Sequence, residues 1–127
     1  LVVSVSGDGC FLMNGQEIAT AIQYNLKILF IVFDNGMYGT IRMHQERDYP
    51  SHVYGTALKN PDFAALAKAY GLHAETVTST RDIRGAIKRC IDQNSASLIH
   101  IKVDPEAITT RTTLTAIRNK AMSENKA

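Results

Sequence analysis

Tryptophan is absent from this sequence, aromatic residues make up 7% of it, and only two cysteines occur. So few rings offer no platform on which unpaired nucleic-acid bases would stack. The two cysteines, Cys10 and Cys90, cannot build a disulfide framework, so the expected setting is a reducing, cytoplasmic compartment. Charge of one sign is scarce as well. A net charge of +2 with 20% charged residues excludes an acidic disordered tail and a strongly basic nucleic-acid surface. The longest apolar run, Ile28 to Phe33, is far too short to cross a bilayer as a helix. What is present suits a single domain. Hydrophobic residues at 45% of 127 positions should bury roughly two-thirds of the extended-chain surface. Leu1-Val2-Val3 carries no initiator Met, basic flank or signal-type cleavage site. It reads as the middle of a buried strand, and the expectation is a piece of a longer protein.

Strand and helix signals alternate along the chain. Val2 to Val5 is a β-branched run that stops in the glycine-rich Ser6-Gly7-Asp8-Gly9. Asn14, with Glu17 three residues on, predicts a capped helix whose face is Ile18, Ala19, Ala21, Ile22 and Leu26. Ile28 to Phe33 is apolar on both faces, as a strand inside a parallel sheet is, and ends at Asp34-Asn35-Gly36. From there to about Asn60 the sequence predicts irregular chain. Asn60-Pro61-Asp62 predicts a helix start, with Phe63, Leu66, Ala67 and Tyr70 on one face and Gly71 at its end. His73 to Val77 predicts a short strand, and Ser79 with Asp82 opens a helix carrying Ile83, Ala86, Ile87, Cys90 and Ile91. Leu98 to Val103 is the last strand, closed by Asp104-Pro105; Arg111 to Ala127 is a weakly helical, then polar, tail. The class is therefore α/β, a parallel sheet flanked by helices. Such sheets bind ligands beyond the carboxyl ends of their strands. If the strands ending in Gly7-Asp8-Gly9 and Asp34-Asn35-Gly36 are neighbours, both segments face one crevice.

That crevice has a definite chemistry. Gly7 and Gly9 permit close backbone approach, and N–H groups near a helix start attract phosphate. Asp8 offers a hard carboxylate oxygen and Asn35 a neutral amide oxygen. Such ligands suit Mg²⁺, which shares its shell with substrate phosphates, so a metal bridging the protein to a diphosphate is the natural reading.

Gly7-Asp8-Gly9, a spacer of 24 residues from Cys10 to Phe33, and Asp34-Asn35 resemble the signature of thiamine-diphosphate enzymes. Phe11, Met13, Gln16-Glu17 and Ala19-Thr20, then Tyr38-Gly39 and Ile41-Arg42, resemble the acetolactate synthase-like branch. The resemblance runs from Leu1 to about Val103. It implies the thiamine-diphosphate-binding, Rossmann-like fold, as the C-terminal diphosphate-binding domain of a 2-oxo acid decarboxylase or carboligase. On this expectation residues 1–105 are the core of one domain and 106–127 its tail. The resemblance further implies that Asp8 and Asn35 hold Mg²⁺ through side chains and Met37 through its carbonyl. The diphosphate is expected at Gly7, Gly9, Cys10 and the Tyr38, Gly39 and Thr40 backbone. The cofactor carries the organic chemistry and the protein orients it.

Three residues depart from the family pattern: Asp34 for the first Asn of an Asn-Asn pair, Cys10 for Ser, and His44 at a Trp position beside the substrate pocket. His44 is thus a substrate-side candidate, and acetolactate synthesis itself is in question. The family's cofactor-activating glutamate belongs to a separate pyrimidine-binding domain, so no catalytic residue is expected here. The isolated chain is expected to bind weakly and not to turn over. Its partners would be that pyrimidine-binding domain, in a homo-oligomer, and a small 2-oxo acid, without nucleic acid or membrane.

Plainer readings compete. Asp34-Asn35-Gly36 is also a hairpin signal, which Gly39 and the upstream Gly-Asp-Gly argue against. Asp8 alone reads as a turn residue, Cys90 as packing, and His73 and His100 as structural histidines. His52 has no visible metal partners, Glu17 is explained as a cap, and Arg42, Glu46, Arg47 and Asp48 read as a solvated run. A phosphoacceptor receiver domain would use Asp34 as acceptor, Asp8 for Mg²⁺ and Lys102. It expects an adjacent acidic pair and a Lys-Pro that this sequence lacks. A non-catalytic nucleotide-binding module has no phosphate loop or dinucleotide fingerprint to support it.

Overall fold

A computed structural model describes residues 1–124. The four expected strands form as β1 (Val2–Gly7), β2 (Ile28–Asp34), β3 (His73–Val77) and β4 (Ser97–Lys102). They make one parallel sheet in the order β1-β2-β4-β3. No hairpin forms at Asp34-Asn35-Gly36. β1 and β2 are neighbours with Gly7 opposite Phe33, so the two polar segments leave the same edge of the sheet. β1 has a paired strand on one side alone among the described residues, and Val2, Val3 and Val5 are exposed instead of buried.

The helices are α1 (Asp8–Asn14), α2 (Ile18–Gln23), α3 (Gly39–Asp48), α4 (Phe63–Ala69), α5 (Thr80–Ile91) and α6 (Leu114–Glu124). Residues 125–127 of the expected tail lie outside the described residues. The chain forms two compact units. Leu1–Asp34 with Asn60–Lys102 holds the sheet, and Asn35–Lys59 with Val103–Ala127 holds α3 and α6. In the first unit, alternation sends Val32, Leu98 and Ala74 to the sheet face covered by Phe11, Ile18, Ala21, Phe63 and Ala67. α5 lies against β3 and β4, burying Ala86 and Cys90, as the packing role of Cys90 requires.

Three expectations are corrected. The Gly-Asp-Gly segment is no loop: Gly7 ends β1 and Asp8 begins α1 at once. The helix expected behind Asn14 therefore starts at Asp8, six residues before that cap, and is interrupted by a 3₁₀ turn at Gly15–Glu17. Asn14 makes no side-chain cap, and Glu17 instead accepts from the Thr20 hydroxyl at 2.6 Å. Lastly, the irregular stretch contains α3. It was invisible to periodicity because its buried residue is Glu46 and no apolar stripe runs along it.

The interruption begins at Gly15, where a side chain has no room. A Cβ there would lie 2.8 Å from the Phe11 ring, which is buried and packed edge-on against Phe63. Alanine usually improves a helical position. Here Gly15→Ala is expected to lower stability by about 1–2 kcal/mol, because the ring has nowhere to retreat. Urea unfolding checks this; a stabilised variant would show that Phe11 yields.

Candidate functional site

Asp8 follows β1 directly and is 3% exposed. Its Oδ1 accepts the Gly9 N–H at 2.9 Å, and its Oδ2 accepts from Asn60 Nδ2 at 2.7 Å. Asp34 ends β2, 5% exposed, and its Oδ1 accepts from the same Asn60 nitrogen at 2.7 Å. Asp34 Oδ2 accepts from His100 Nε2 at 2.8 Å and from Lys102 Nζ at 2.6 Å. The structure thus gathers Asp8, Asn60, Asp34, His100 and Lys102 at the carboxyl ends of β1, β2 and β4.

Sheet register builds this cluster. His100 and Lys102 alternate onto one face of β4, opposite Val32 and Asp34 of β2. Asn60 arrives from the segment before α4, but not as that helix's cap. Asp62 is the cap, accepting the Ala65 N–H at 3.0 Å, which holds its carboxyl below the usual range. Three donors converge on Asp34, the residue that departs from the Asn-Asn pair. His100 is buried and bonded, in keeping with a structural histidine, though its Nδ1 has no hydrogen-bond partner. The i, i+2 pair His100 and Lys102, ending a strand beside an Asp that ends another, was the available signal for this network.

Cys10 is exposed on α1, while Gly7 has nothing within 4 Å of where a Cβ would stand. The Gly9 N–H is already directed at Asp8. In the second unit, Asn35 Oδ1 accepts the Met37 N–H at 3.2 Å. Met37 pairs with Ala57 in an isolated antiparallel bridge whose bonds run from Tyr38 N–H to Thr56 O and from Leu58 N–H to Gly36 O. The bridge therefore leaves the Met37 carbonyl outside its bonds and takes the Tyr38 N–H. The first-turn N–H groups of α3, at Gly39 and Thr40, lack intrahelical acceptors as at any helix start. A Cβ on Gly39 would stand 2.9 Å from Asn35 Nδ2 and 2.9 Å from Ile108 Cδ1, so the bare glycine is what seats the Asn35 amide. His44 is exposed on α3.

Glu46 is not on a solvated face. It is fully buried, with Arg118 donating at 2.6 and 2.8 Å, Arg42 at 3.0 Å and the Ser51 N–H at 3.0 Å. Arg118 foremost holds its pKa at about 2. Arg47 and Asp48 do form an exposed pair.

Among the described residues, His73, Glu75 and Cys90 bring metal-ligand atoms within 4.8 Å of one another. Arg89 occupies both Glu75 oxygens, at 2.8 and 2.6 Å, and burial pushes the Cys90 thiol up, away from the thiolate a metal takes. That group is an ion-pair cluster. No helix among the described residues is long and apolar enough to cross a membrane.

Each unit by itself offers oxygens of the type a hard divalent cation takes: the first the buried Asp8 carboxylate, the second the Asn35 amide oxygen and the Met37 carbonyl that its bridge leaves out. Comparison with known proteins identifies the family. The model of the thiamine pyrophosphate enzyme C-terminal TPP-binding domain matches residues 1–101. A probable acetolactate synthase large subunit of Methanocaldococcus jannaschii is 36% identical over 105 residues, 82% of this chain and 18% of that protein. The acetolactate synthase isozyme 2 large subunit of Escherichia coli is 33% identical over 104 residues, 81% of this chain and 19% of that protein. A 3D-(3,5/4)-trihydroxycyclohexane-1,2-dione hydrolase of Bacillus subtilis is 34% identical over 115 residues, 85% of this chain and 18% of that protein. Among solved structures, a benzoylformate decarboxylase from Polynucleobacter necessarius superposes with a TM-score of 0.76 at 28% identity, covering 83% of this chain and 20% of that one. The chain spans about a fifth of the length of these relatives.

Proposed function

The chain belongs to the C-terminal TPP-binding domains of thiamine pyrophosphate enzymes, in the acetolactate synthase-like branch, and on that premise we propose that it binds the diphosphate of thiamine diphosphate through Mg²⁺. Asp8 and Asn35 hold the metal by their side chains and Met37 by its carbonyl. Backbone N–H groups at Cys10, Gly39 and Thr40 meet the diphosphate, with Gly7 and Gly9 keeping the approach clear. The observation that carries this is Asp8: a buried carboxylate at a parallel strand's carboxyl end, aimed by two hydrogen bonds. When bound, thiamine diphosphate supplies the electron sink for decarboxylating 2-oxo acids and joining carbonyl compounds. The chain's own part is to orient that group and offset its charge.

The relatives' names include synthases, a hydrolase and a decarboxylase, so the common ground is the cofactor, and the substrate is a small 2-oxo acid or related carbonyl compound. Its pyrimidine end is completed by a pyrimidine-binding domain from the parent protein or a partner subunit in a homo-oligomer. His44, exposed on α3, is the substrate-side residue. The receiver reading would use both Asp34 and Lys102, and Lys102 does donate to Asp34. A phosphoacceptor must present an oxygen to an incoming phosphoryl group, whereas Asp34 is buried beneath three donors.

Amide-resolved NMR tests the reading, since it registers weak binding. Thiamine diphosphate added with Mg²⁺ is expected to move Cys10, Gly39 and Thr40, and EDTA to reverse it. Equal shifts without metal contradict the reading. Gly39→Ala is expected to weaken binding roughly tenfold by displacing the Asn35 amide, in the range lost when a ligand's support is disturbed. Unchanged affinity would remove Asn35 from the site.

A further inference from the structure

A carboxylate that takes a cation must keep one oxygen in a fixed direction, and the groups behind it set that direction. Behind Asp8 stands Asn60. Its Nδ2 lies 2.7 Å from Asp8 Oδ2 and 2.7 Å from Asp34 Oδ1, one amide proton for each carboxylate. Two acceptors on that side fix the amide's orientation, because an oxygen there would face two carboxylates. Pro61 follows directly and restricts the Asn60 backbone to extended conformations. Asp34 is fixed in turn by His100 and Lys102, both seated in the register of β4. A continuous line of short hydrogen bonds thus runs from the centre of the sheet to Asp8.

A helix-start role does not account for Asn60, since Asp62 caps α4. Stability alone does not account for it either. Asn60 Oδ1 is buried without a hydrogen-bond partner, an arrangement that costs free energy. What the side chain contributes is its two donors. We propose that Asn60 is the positioning residue for Asp8, aiming its carboxylate at the cation, and that Lys102, through Asp34, is its anchor. Lys102 also supplies a positive charge beside a pair of carboxylates that would otherwise repel each other. The inference rests on the magnesium–diphosphate reading and adds residues outside its ligand set.

The test is the Mg²⁺ dependence of the thiamine diphosphate-induced amide shifts, at fixed thiamine diphosphate, in the wild-type chain and three variants. Asn60→Ala is expected to raise the half-saturating Mg²⁺ concentration roughly ten- to a hundredfold. Lys102→Met is expected to raise it less, in the same direction. Lys102 is half-exposed, so that variant decides the matter if Asn60→Ala does not fold. Val77→Ala, a core truncation on the opposite face of β3 from Ala74, is the control for general destabilisation. It should lower the unfolding midpoint and leave the Mg²⁺ dependence where it was. Wild-type Mg²⁺ dependence in Asn60→Ala or, where that variant is unfolded, in Lys102→Met overturns the inference and leaves the cofactor reading standing. A shift of equal size in Val77→Ala also overturns it. Binding by the wild-type chain that ignores Mg²⁺ overturns the reading, and the inference with it.

Discussion

Asp8→Ala abolishes magnesium-dependent binding of thiamine diphosphate. Asp8 is the charged member of the proposed ligand set, and the remaining two ligands, an amide and a peptide carbonyl, are neutral. Mg²⁺ dehydrates reluctantly and depends on carboxylates to replace its water, so two neutral oxygens do not hold it. The loss should therefore exceed the range of an NMR titration. Folding is a separate readout. Asp8 also accepts from Gly9 and Asn60, so its removal should lower stability by about 1–2 kcal/mol while the amide spectrum stays dispersed. A folded Asp8→Ala chain with ordinary magnesium dependence would refute the assignment of Asp8 as a ligand.

The second large effect belongs to Glu46. Glu46→Gln is expected to destabilise the chain by roughly 3 kcal/mol at neutral pH, since two arginines would then face a neutral amide in a buried site. The same residue sets an acid dependence. Folded Glu46 titrates at about 2 against an ordinary 4.5, chiefly through Arg118. The unfolded chain thus takes up a proton that the folded chain refuses. Glu46's contribution is complete above the ordinary value and is lost as pH falls from 4.5 toward 2. Glu75, held at about 2 by Arg89, adds a slope of the same sign. Urea unfolding at neutral pH and near pH 3 should show wild type losing stability steeply and Glu46→Gln retaining the Glu75 part of that slope. Parallel slopes in the two proteins would contradict the Glu46 account.

β1, β2 and β4 were legible as largely apolar runs that end in a polar or glycine signal; β3, with His73, Glu75 and Thr76 among its residues, was legible only as the short stretch between two helix signals. A strand paired on both sides, such as β2, writes its environment into every position. Less was legible where polar residues do the packing. Glu46 looks like part of a charged surface run until Arg118, 72 positions away, closes on it. α3 disappeared from view for the same reason. Asn60-Pro61-Asp62 announced α4, but with Pro61 as its first residue, and the helix begins two residues later at Phe63 behind Asp62; Asn and Asp are equally good caps, and sequence does not say which is engaged elsewhere. Asn14 failed because the helix already begins at Asp8, directly after β1, so Asn14 closes its first segment instead of capping it. At the site, motif spacing singled out Asp8 and Asn35. It could not show that Asp34 is a buried acceptor for three donors, because those donors come from residues 60, 100 and 102.

The central claim is that a divalent cation sits at Asp8 when the diphosphate is bound. Mn²⁺ in place of Mg²⁺ tests it directly, because its unpaired electrons broaden nearby resonances. With thiamine diphosphate present, substoichiometric Mn²⁺ should erase the amides of Gly7, Gly9 and Cys10 and of Met37 and Gly39, and broaden the cofactor's phosphorus lines. Broadening centred on His73 and Glu75, or phosphorus lines that broaden while the Gly9 amide stays sharp, would contradict the account.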